Sequence, residues 1–441
     1  MKHFVLLACA ILLSVCIFPS AGQAAILTDV LDASDDNDDV FDFSLSVDFT
    51  QVHEQARISR ERNTISSTDK RMLTQREFEY NSIKSTIDVN MKFGIYKDLE
   101  FHINLPITIE DSNKGKQDAF WRNKYWAGDY VQNQLDYFER PSLLSDKVFG
   151  FAEWEAIHKG VGDMTLGFSY SPVNQERVKE YPTWVITLDI QVPTGPEQKP
   201  SLNPFDNADN RFKGVSDTVG VGKKLVALTF KTAISKRFGV VDPYFGMHYK
   251  LTIDTGGLIK DPRHEGNFLL GMEVVAHESK PDGANEPKWK VAFDFRMQAT
   301  ILGKGQDFSS ITDPLAWRKD KVGSAYWPDD PRRLDQDNPN LFYYYPNGTA
   351  EYELPIEDRY TYIQGIVGLY AVLAHYITLK SEFGFGHRTE HFLSLPDKVD
   401  RDTLRPLDMD GYNTQINEVG ARIKLTDSFV FSYTFSLGFN Y

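Results

Sequence analysis

Cysteine is almost absent from this chain, and the two that it has, Cys9 and Cys16, lie close to the N-terminus. They belong to a segment ordered like a secretory signal, with the basic start MKH, the apolar stretch FVLLACAILLSVCIF and the small residues AGQAA. We therefore predict a signal peptide over residues 1–25, cleaved near Ala24 or Ala25. The exported chain then has no thiol, which excludes disulfides, thiolate metal sites and a cysteine nucleophile.

Long apolar runs and a basic charge excess are also missing. Beyond residue 25 no apolar run approaches the roughly 18 to 20 residues that a membrane helix needs. Lysine and arginine number 48 against 62 aspartates and glutamates, for a net charge of −14, which argues against a nucleic-acid partner. The aspartate-rich residues 26–39 lack the glycine and final glutamate of an EF-hand loop, so we expect a solvated acidic tail there.

What the chain does have is alternation of apolar and polar residues. In LEFHINLPITI (99–109) every odd position is apolar and most even positions are polar, which is typical of a strand with two different faces. About thirteen such segments follow one another, and no helical period of convincing length appears. They occupy residues 41–49, 83–95, 99–109, 163–170, 184–192, 226–235, 244–253, 267–276, 290–301, 360–373, 376–386, 414–425 and 429–441.

The connections between these segments largely alternate between short and long. Short ones include YKD (96–98) and TDS (426–428), whereas residues 111–160 and 304–358 form long ones. A transmembrane barrel has this asymmetry, with short periplasmic turns and long outer loops. Aromatic residues flank the shorter connections, as an interfacial girdle requires; they are Tyr96, Tyr170, Trp184, Phe238, Tyr244, Trp289, Tyr376 and Phe429. We therefore predict an all-β fold, a transmembrane antiparallel β-barrel over residues 40–441 whose apolar face meets lipid.

The strand number is expected to be about twelve to fourteen, because single-chain bacterial barrels have an even number. Either one strand is hidden in a long loop or two of the segments form one, and fourteen is preferred. The turn YKD predicts a hairpin that pairs Phe93 with Phe101, Met91 with Ile103 and Val89 with Leu105. Pro106 cannot donate to the ladder, so a bulge or local break is expected there.

The inward faces of the predicted strands are unusually charged. They are predicted to line the lumen with Asp88, Lys92, Glu100, His102, Asp189, Lys231, Glu273, Asp294, Arg296, Lys380, Glu382, Glu418, Arg422 and Lys424. Such a lining fits a wet, charge-lined conduit or a self-paired lattice that braces a blocked lumen. With TDS as a hairpin turn, Arg422 faces Ser432, so Glu382 on the preceding strand is its candidate partner. We expect Arg422 to be wet and an Arg422→Glu change to shift ion selectivity.

Three segments resemble a known family. GVGDMTLGFSYSP (160–172), VITLDIQVPTGP (185–196) and AISKRFG (233–239) are similar to the MetA-pathway phenol-degradation family of outer-membrane barrels. The matching positions are Gly162, Asp163, Pro193, Thr194, Gly195, Ser235, Lys236, Phe238 and Gly239. These are residues of turns and strand ends, and the resemblance implies an outer-membrane barrel and uptake of aromatic or other hydrophobic compounds.

The predicted function is passive diffusion of small solutes, hydrophobic or aromatic ones included, through an outer-membrane channel. Lipid and the barrel-assembly machinery, which would read the aromatic C-terminal strand, are the expected partners. No cofactor or metal site is predicted. A structural or surface-assembly barrel with a closed lumen stays open as an alternative. An outer-membrane hydrolase is the weaker one, since no serine lies in a nucleophile motif. His387 and His391 could both bind a metal if they lay near each other, but GHRTEH straddles a strand end and gives no fixed geometry.

Two aromatic-rich stretches in the long loops are also notable. Residues 119–141 and 340–348 are too apolar to be idle solvated loops. They are expected to form a plug in the mouth, a lid or a structural cap.

Overall fold

The structure is a computed structural model that describes residues 25, 28, 30–31, 42–63, 72–117, 153–175, 177–199, 213–279, 289–315, 354–374, 376–395 and 422–441. The strands of these residues are β1 (Phe43–Asn63), β2 (Met72–Tyr96), β3 (Leu99–Gln117), β4 (Glu153–Val161), β5 (Thr165–Val173), β6 (Thr183–Gln191), β7 (Lys213–Val219), β8 (Leu225–Ser235), β9 (Val241–Asp254), β10 (Glu265–Ser279), β11 (Trp289–Leu302), β12 (Gly305–Gln306), β13 (Ile356–Glu357), β14 (Tyr360–Leu373), β15 (Ile377–Arg388), β16 (His391–Phe392) and β17 (Ile423–Asn440). A short helix, α1, spans Thr312–Leu315. Within these ranges no helix is long and apolar enough to cross a membrane.

A closed barrel of 12 antiparallel strands forms the body of the molecule. Its order around the wall is β1-β2-β3-β5-β6-β8-β9-β10-β11-β14-β15-β17, and β17 returns to β1. The ring closes at its first and last residues, where the backbone N–H of Phe43 donates to the carbonyl of Tyr441 at 2.9 Å. The predicted fold class is therefore confirmed, with 12 strands rather than the preferred fourteen.

The outer face of the wall is the apolar one. On β9 the exposed side chains are Phe245, Met247, Tyr249, Leu251 and Ile253, which are every second residue of the strand. These five positions span about 27 Å along the strand, which after tilting gives a band close to the ~25 Å of a membrane barrel. Large apolar side chains thus face outward in rows, whereas a soluble sandwich would bury them.

The strand ends define two different ends of the barrel. One end of the barrel, called the short-turn end here, holds the short connections 97–98, 236–240 and 374–376. Phe43 and Tyr441, which close the ring, lie at the same end. The long connections lie at the other, the long-loop end. Because β17 is one strand, Tyr441 falls at the short-turn end. If residues 414–425 and 429–441 had formed two strands, as predicted, Tyr441 would have been at the long-loop end.

The predicted hairpin at residues 96–98 is confirmed, with all three predicted cross-strand pairs in register. The predicted hairpin at residues 426–428 is wrong. β17 runs without a turn through Thr426 and Asp427, and a register shift opposite Ala56 marks a β-bulge there. Leu425 therefore pairs with Ile58 on β1 and with His391 on β16, not with Phe429.

Pro106 marks a break in the wall, as predicted from its missing N–H. Below it β3 pairs with β5, and above it β3 pairs with β4. The carbonyl of Pro106 accepts the backbone N–H of Gly162 at 2.8 Å in the gap between β4 and β5. Above the end of β6, β4 pairs in parallel with β7, so these two extra strands extend the wall toward the long-loop end. Neither β4 nor β7 was predicted.

An apolar core fills the interior at the long-loop end. It combines residues of β1, β2, β4 and β17 with two loop residues, Leu393, which follows β16, and Ile311, which precedes α1. Its members are Ala56, Ile58, Phe78, Tyr80, Trp154, Ala156, Ile311, Leu393, Ile423 and Leu425. Parts of the long loops therefore fold into the mouth and pack there. The aromatic stretches 119–141 and 340–348, expected to do this, lie outside the described residues.

Two predicted girdle residues are placed elsewhere. Tyr244 points into the barrel and is 4% exposed, because the even-numbered residues of β9 face the interior. Phe429 is exposed but lies next to the bulge of β17 rather than at a short turn. Tyr96, Trp184 and Tyr376 are exposed near the short-turn end, as a girdle requires.

The lumen as candidate functional site

The inner wall carries most of the charged side chains that alternation predicted. Three groups of them meet inside the barrel, at successive positions around the ring, and a further set lies at the long-loop end. Glu418 lies outside the described residues. Asp88 lies in register between Asp48 of β1 and Pro106 of β3.

The first group is a row of alternating charge that crosses β2, β3, β6 and β8. Lys92 Nζ lies 3.2 Å from Glu100 Oε2, and His102 Nδ1 lies 3.2 Å from Glu100 Oε1. The other ring nitrogen of His102 is 2.9 Å from Asp189, whose second oxygen is 2.6 Å from Lys231 Nζ. The histidine therefore links two carboxylates that each hold a lysine.

A glycine makes this row possible. His102 and Asp189 lie on strands that are not neighbours, with Gly167 of β5 in register between them. A Cβ atom at Gly167 would come within 2.3 Å of both side chains, far inside van der Waals contact. The two side chains meet over this glycine because it leaves the space open.

The second group lies on β11 and β15. Arg296 forms ion pairs with Glu382 and, at 3.5 Å, with Asp294, while Lys380 Nζ is 2.9 Å from Glu382. Tyr244 of β9 donates its hydroxyl to Asp294. It does so across β10, where Gly271 faces the Tyr244 ring.

The third group lies at the short-turn end. Lys290 Nζ is 2.7 Å from Glu273, and both side chains are buried. Asp242 of β9 is in register with Glu273. Lys290 was missed in the sequence, although it shares the inward parity of Asp294 and Arg296 on β11, a signal that could have found it.

The cations and the carboxylates of the lumen differ in exposure. The side chains of Lys92 and Lys231 are 41% and 47% exposed, whereas their carboxylate partners Glu100 and Asp189 are 3% and 5% exposed. Lys380 is also more exposed than Glu382. The carboxylates lie against the wall, and the lysine amines reach into a water-accessible interior.

Arg422 and Lys424 do not line this part of the lumen. Arg422 makes a bidentate pair with Glu61 of β1, at 2.8 and 3.0 Å, and its guanidinium lies 3.9 Å from the ring centroid of Phe392. Lys424 pairs with Glu390 at 2.9 Å. Because β17 has no hairpin turn, the expected pairing of Arg422 with Glu382 is wrong, and Arg422 is tightly paired at the long-loop end rather than wet.

The long-loop end holds a further buried cluster, well away from the lipid-facing band. Arg263 pairs with Glu357, and its guanidinium lies 4.7 Å from the ring of Tyr360, on which His391 stacks at 4.0 Å. Burial raises the pKa of Glu357 although Arg263 opposes the shift. Burial, with the nearby charges of Arg388 and Arg263, lowers the pKa of His391 to about 4. His391 therefore stays neutral near pH 7.

The two histidines considered for a metal are engaged elsewhere. His387 Nδ1 lies 2.5 Å from the carbonyl of Ser428, and His391 Nδ1 lies 2.8 Å from that of Thr389. Among the described residues, no group of three or more His, Cys, Asp or Glu side chains is placed to hold a metal ion.

Most of the residues that carry the family resemblance meet at the break in the wall. The carboxylate of Asp163 accepts the backbone N–H of Gly195 at 3.0 Å and that of Lys223 at 2.9 Å, so it joins three chain segments. Thr194 Oγ1 accepts the N–H of Met164 at 2.9 Å. These residues hold the end of β6 between the extra strands, which is a structural role.

The other motif residues form the turn between β8 and β9. Phe238 and Val241 bridge it, with Gly239 at a φ of 63°. Lys236 Nζ donates to the carbonyl of Glu180 at 2.6 Å. Ser235 differs from these residues, because its hydroxyl points into the barrel and contacts residue 28.

A segment near the N-terminus lies inside the barrel at the short-turn end. Ala25 and Thr28 are buried, and Thr28 Oγ1 is 2.7 Å from Ser235 Oγ. The backbone N–H of Leu31 donates to Glu100 at 3.0 Å, on the same carboxylate that holds Lys92 and His102. Thr28 and Leu31 thus lie inside the lumen, in contact with its wall at β8 and at β3. This placement could not be predicted from the sequence, since these residues have no periodicity. The aspartate-rich residues 32–41 lie outside the described residues.

Comparison with known proteins gives only distant likenesses. No family model matches the chain, and no curated protein matches it. The COG4313 outer membrane channel from Pseudomonas putida F1 is similar at 10% identity, over 90% of this chain and 96% of that one, with a TM-score of 0.40. A Pseudomonas aeruginosa FadL homologue is 7% identical over 91% of this chain and 90% of that one, with a TM-score of 0.33. The Escherichia coli outer membrane protease OmpT is 7% identical over 94% of this chain and 100% of that one, with a TM-score of 0.29. The fold described above rests on this chain's own strand pairing, and membership of the MetA-pathway family stays a prediction.

Proposed function

We propose that the chain is an outer-membrane channel that lets small solutes diffuse passively through its lumen. The observation that carries the proposal is the exposure of Lys92 and Lys231 inside the barrel, because charged side chains that are nearly half exposed there require water in the interior. The short-turn end is then periplasmic and the long-loop end faces outward.

Two features make the proposed passage narrow. The apolar core occupies the mouth at the long-loop end, and Thr28 and Leu31 lie inside the lumen at the opposite end. Small solutes are therefore the expected cargo. Aromatic compounds are among the solutes to be tested, because the family resemblance implies them. The charged lumen itself favours no aromatic ligand.

The proposal is tested by the swelling of liposomes that contain the purified protein. Swelling should be fast for the smallest solutes and fall steeply as solute size increases. Lys231→Glu should shift the anion-to-cation permeability ratio toward cations in a planar bilayer, because this amine is exposed in the lumen. Lys260→Glu, a charge reversal of an exposed lysine in the connection between β9 and β10 at the long-loop end, is the control and should leave the ratio near the wild-type value.

A structural barrel with a closed lumen is the second candidate. It is favoured by the same ion pairs, which brace one strand against another, and by the chain segment inside the lumen. No swelling with any solute and no ion conductance would support this candidate against the channel.

A further inference from the structure

One carboxylate of the inner wall has no partner among the described residues. Asp242, the second residue of β9, is 1% exposed, and neither of its oxygens accepts a hydrogen bond. A buried carboxylate without a donor is strongly unfavourable, since nothing replaces the water it has lost. The position calls for a cationic donor.

The cations nearest to Asp242 already hold other carboxylates. Lys290 pairs with Glu273 at 2.7 Å, and Arg237 pairs with Glu278 at 2.7 Å. Glu273 itself lies beside Asp242 in register and adds a second negative charge. Each of these ion pairs is neutral overall, so no positive charge remains to compensate the carboxylate of Asp242.

The group that faces Asp242 from the lumen is the backbone nitrogen of Ala25. Its N–H is directed towards the carboxylate without reaching hydrogen-bond geometry, and Ala25 is fully buried. The contacts of Thr28 with Ser235 and of Leu31 with Glu100 hold the following residues in place. The nitrogen of residue 25 is therefore fixed near the unpartnered acid.

Cleavage after Ala24, one of the two predicted positions, changes the chemistry of this nitrogen. Small residues stand at the first and third positions before the bond between Ala24 and Ala25, namely Ala24 and Gly22, which is the pattern of a cleavage site. Hydrolysis breaks that amide bond, and water supplies the hydroxyl to the Ala24 carbonyl and a proton to the nitrogen. The amine left on Ala25 takes up one more proton near pH 7 and becomes an ammonium group.

We propose that the mature chain begins at Ala25 and that its new α-ammonium group forms a buried ion pair with Asp242, which fixes the N-terminal segment inside the lumen. The ammonium supplies both the donor and the charge that Asp242 lacks. A mature chain one residue longer or shorter would move the group by about 3.5 Å and would lose the pair. The inference rests on cleavage after Ala24 rather than after Ala25, and it is independent of what passes through the barrel.

The test is the reactivity of the N-terminal amine in protein exported with its own signal peptide and purified from membranes. Intact mass should give a chain that begins at Ala25. An amine-acetylating ester at pH 7 should then label this α-amine at least tenfold more slowly in the folded protein than in the heat-unfolded protein, as measured by mass spectrometry of the N-terminal peptide. Asp242→Asn should remove most of this protection.

Two further variants complete the design. Asp254→Asn makes the same chemical change at the other end of β9, where the carboxylate accepts the N–H of Gly256, and should label at the wild-type rate. A glycine inserted between Ala24 and Ala25 leaves the barrel sequence intact and should also abolish the protection, so it decides the matter even if Asp242→Asn fails to fold. A mature chain that begins elsewhere, an unprotected amine, or protection that survives in a folded Asp242→Asn barrel or in the extended chain would overturn the proposal.

Discussion

At the scale of single residues, glycines on the inner wall decide which charged side chains meet. Gly167 lets His102 reach Asp189 across β5, and Gly271 lets Tyr244 reach Asp294 across β10. A side chain at either position would occupy the space in which the two partners join. The charged lattice is thus a product of small residues on the intervening strands as much as of the charges themselves.

Gly167→Ala tests this role. The added methyl group has no room between His102 and Asp189, so we expect the free energy of unfolding to fall by about 1–3 kcal/mol, the usual cost of overpacking. Gly365→Ala on β14 is the matched control, because a Cβ there meets nothing within 4 Å. Denaturant unfolding in detergent or lipid gives both values, and equal stability of the two variants would contradict the role assigned to Gly167.

The buried histidine at the long-loop end predicts a pH dependence. The pKa of His391 falls from 6.5 to about 4 on folding, so the folded state resists its protonation. The neutral histidine contributes fully to the free energy of unfolding above pH 6.5, its pKa in the unfolded chain. This contribution, on the order of 3 kcal/mol, is lost as the pH falls from 6.5 to about 4.

Unfolding at pH 7 and pH 4.5 measures this contribution. His391→Phe keeps an aromatic ring on Tyr360 and removes the titrating group, so its stability should fall less than that of the wild type between the two pH values. His53→Phe, where the ring lies against Phe431 instead, should retain the wild-type difference. The prediction fails if His391→Phe loses as much stability as the wild type.

At the scale of strands, β17 shows how a bulge can look like a turn in the sequence. Asp98, in the hairpin turn between β2 and β3, has a φ of 53°, and Asp427, in the bulge of β17, has a φ of 51°. Both are aspartates in the left-handed region, where this residue type is tolerated, and both are flanked by alternating residues. Only the pairing of β17 with β1 on both sides of Asp427 separates the two cases.

Deletions in β17 test the bulge. Removing Asp427 should be tolerated, because two residues then no longer oppose Ala56, and the flanking pairs of Thr426 with Arg57 and Phe429 with Gln55 can remain. Removing Thr434 from the regular ladder should prevent folding, because the residues before it change faces. Heat-dependent gel mobility reports both outcomes, and a folded Thr434 deletion together with an unfolded Asp427 deletion would refute the assignment.

The orientation of the side chains in the lumen could be predicted from the sequence, but their partners could not. Alternation predicts which side chains face inward, and it correctly separates Glu100 and Asp189 from the apolar outer face. It does not predict their partners, because these depend on which strand lies between them in the closed ring. The parallel pair of β4 and β7 and the chain segment at Thr28 were missed for a related reason, since long-range pairing and the placement of single residues inside the lumen have no local period.

At the scale of the whole molecule, the barrel is obstructed at both ends by its own chain. The long-loop end holds an apolar core and buried ion pairs, and the short-turn end holds Ala25, Thr28 and Leu31. Between them lies a charged and water-accessible belt. On the proposed function, this lumen is a narrow passage whose width is limited by the N-terminal residues that lie inside it.

The most direct measurement is the single-channel conductance in a planar bilayer of the wild type and of a variant that lacks residues 28–38. The deletion removes the contacts of Thr28 and Leu31 with the wall and leaves every strand of the barrel. We predict a small but measurable conductance for the wild type and a conductance several-fold larger for the deletion variant, with both proteins showing the same heat-dependent mobility. Absence of conductance in both folded proteins would contradict the channel and leave the structural barrel.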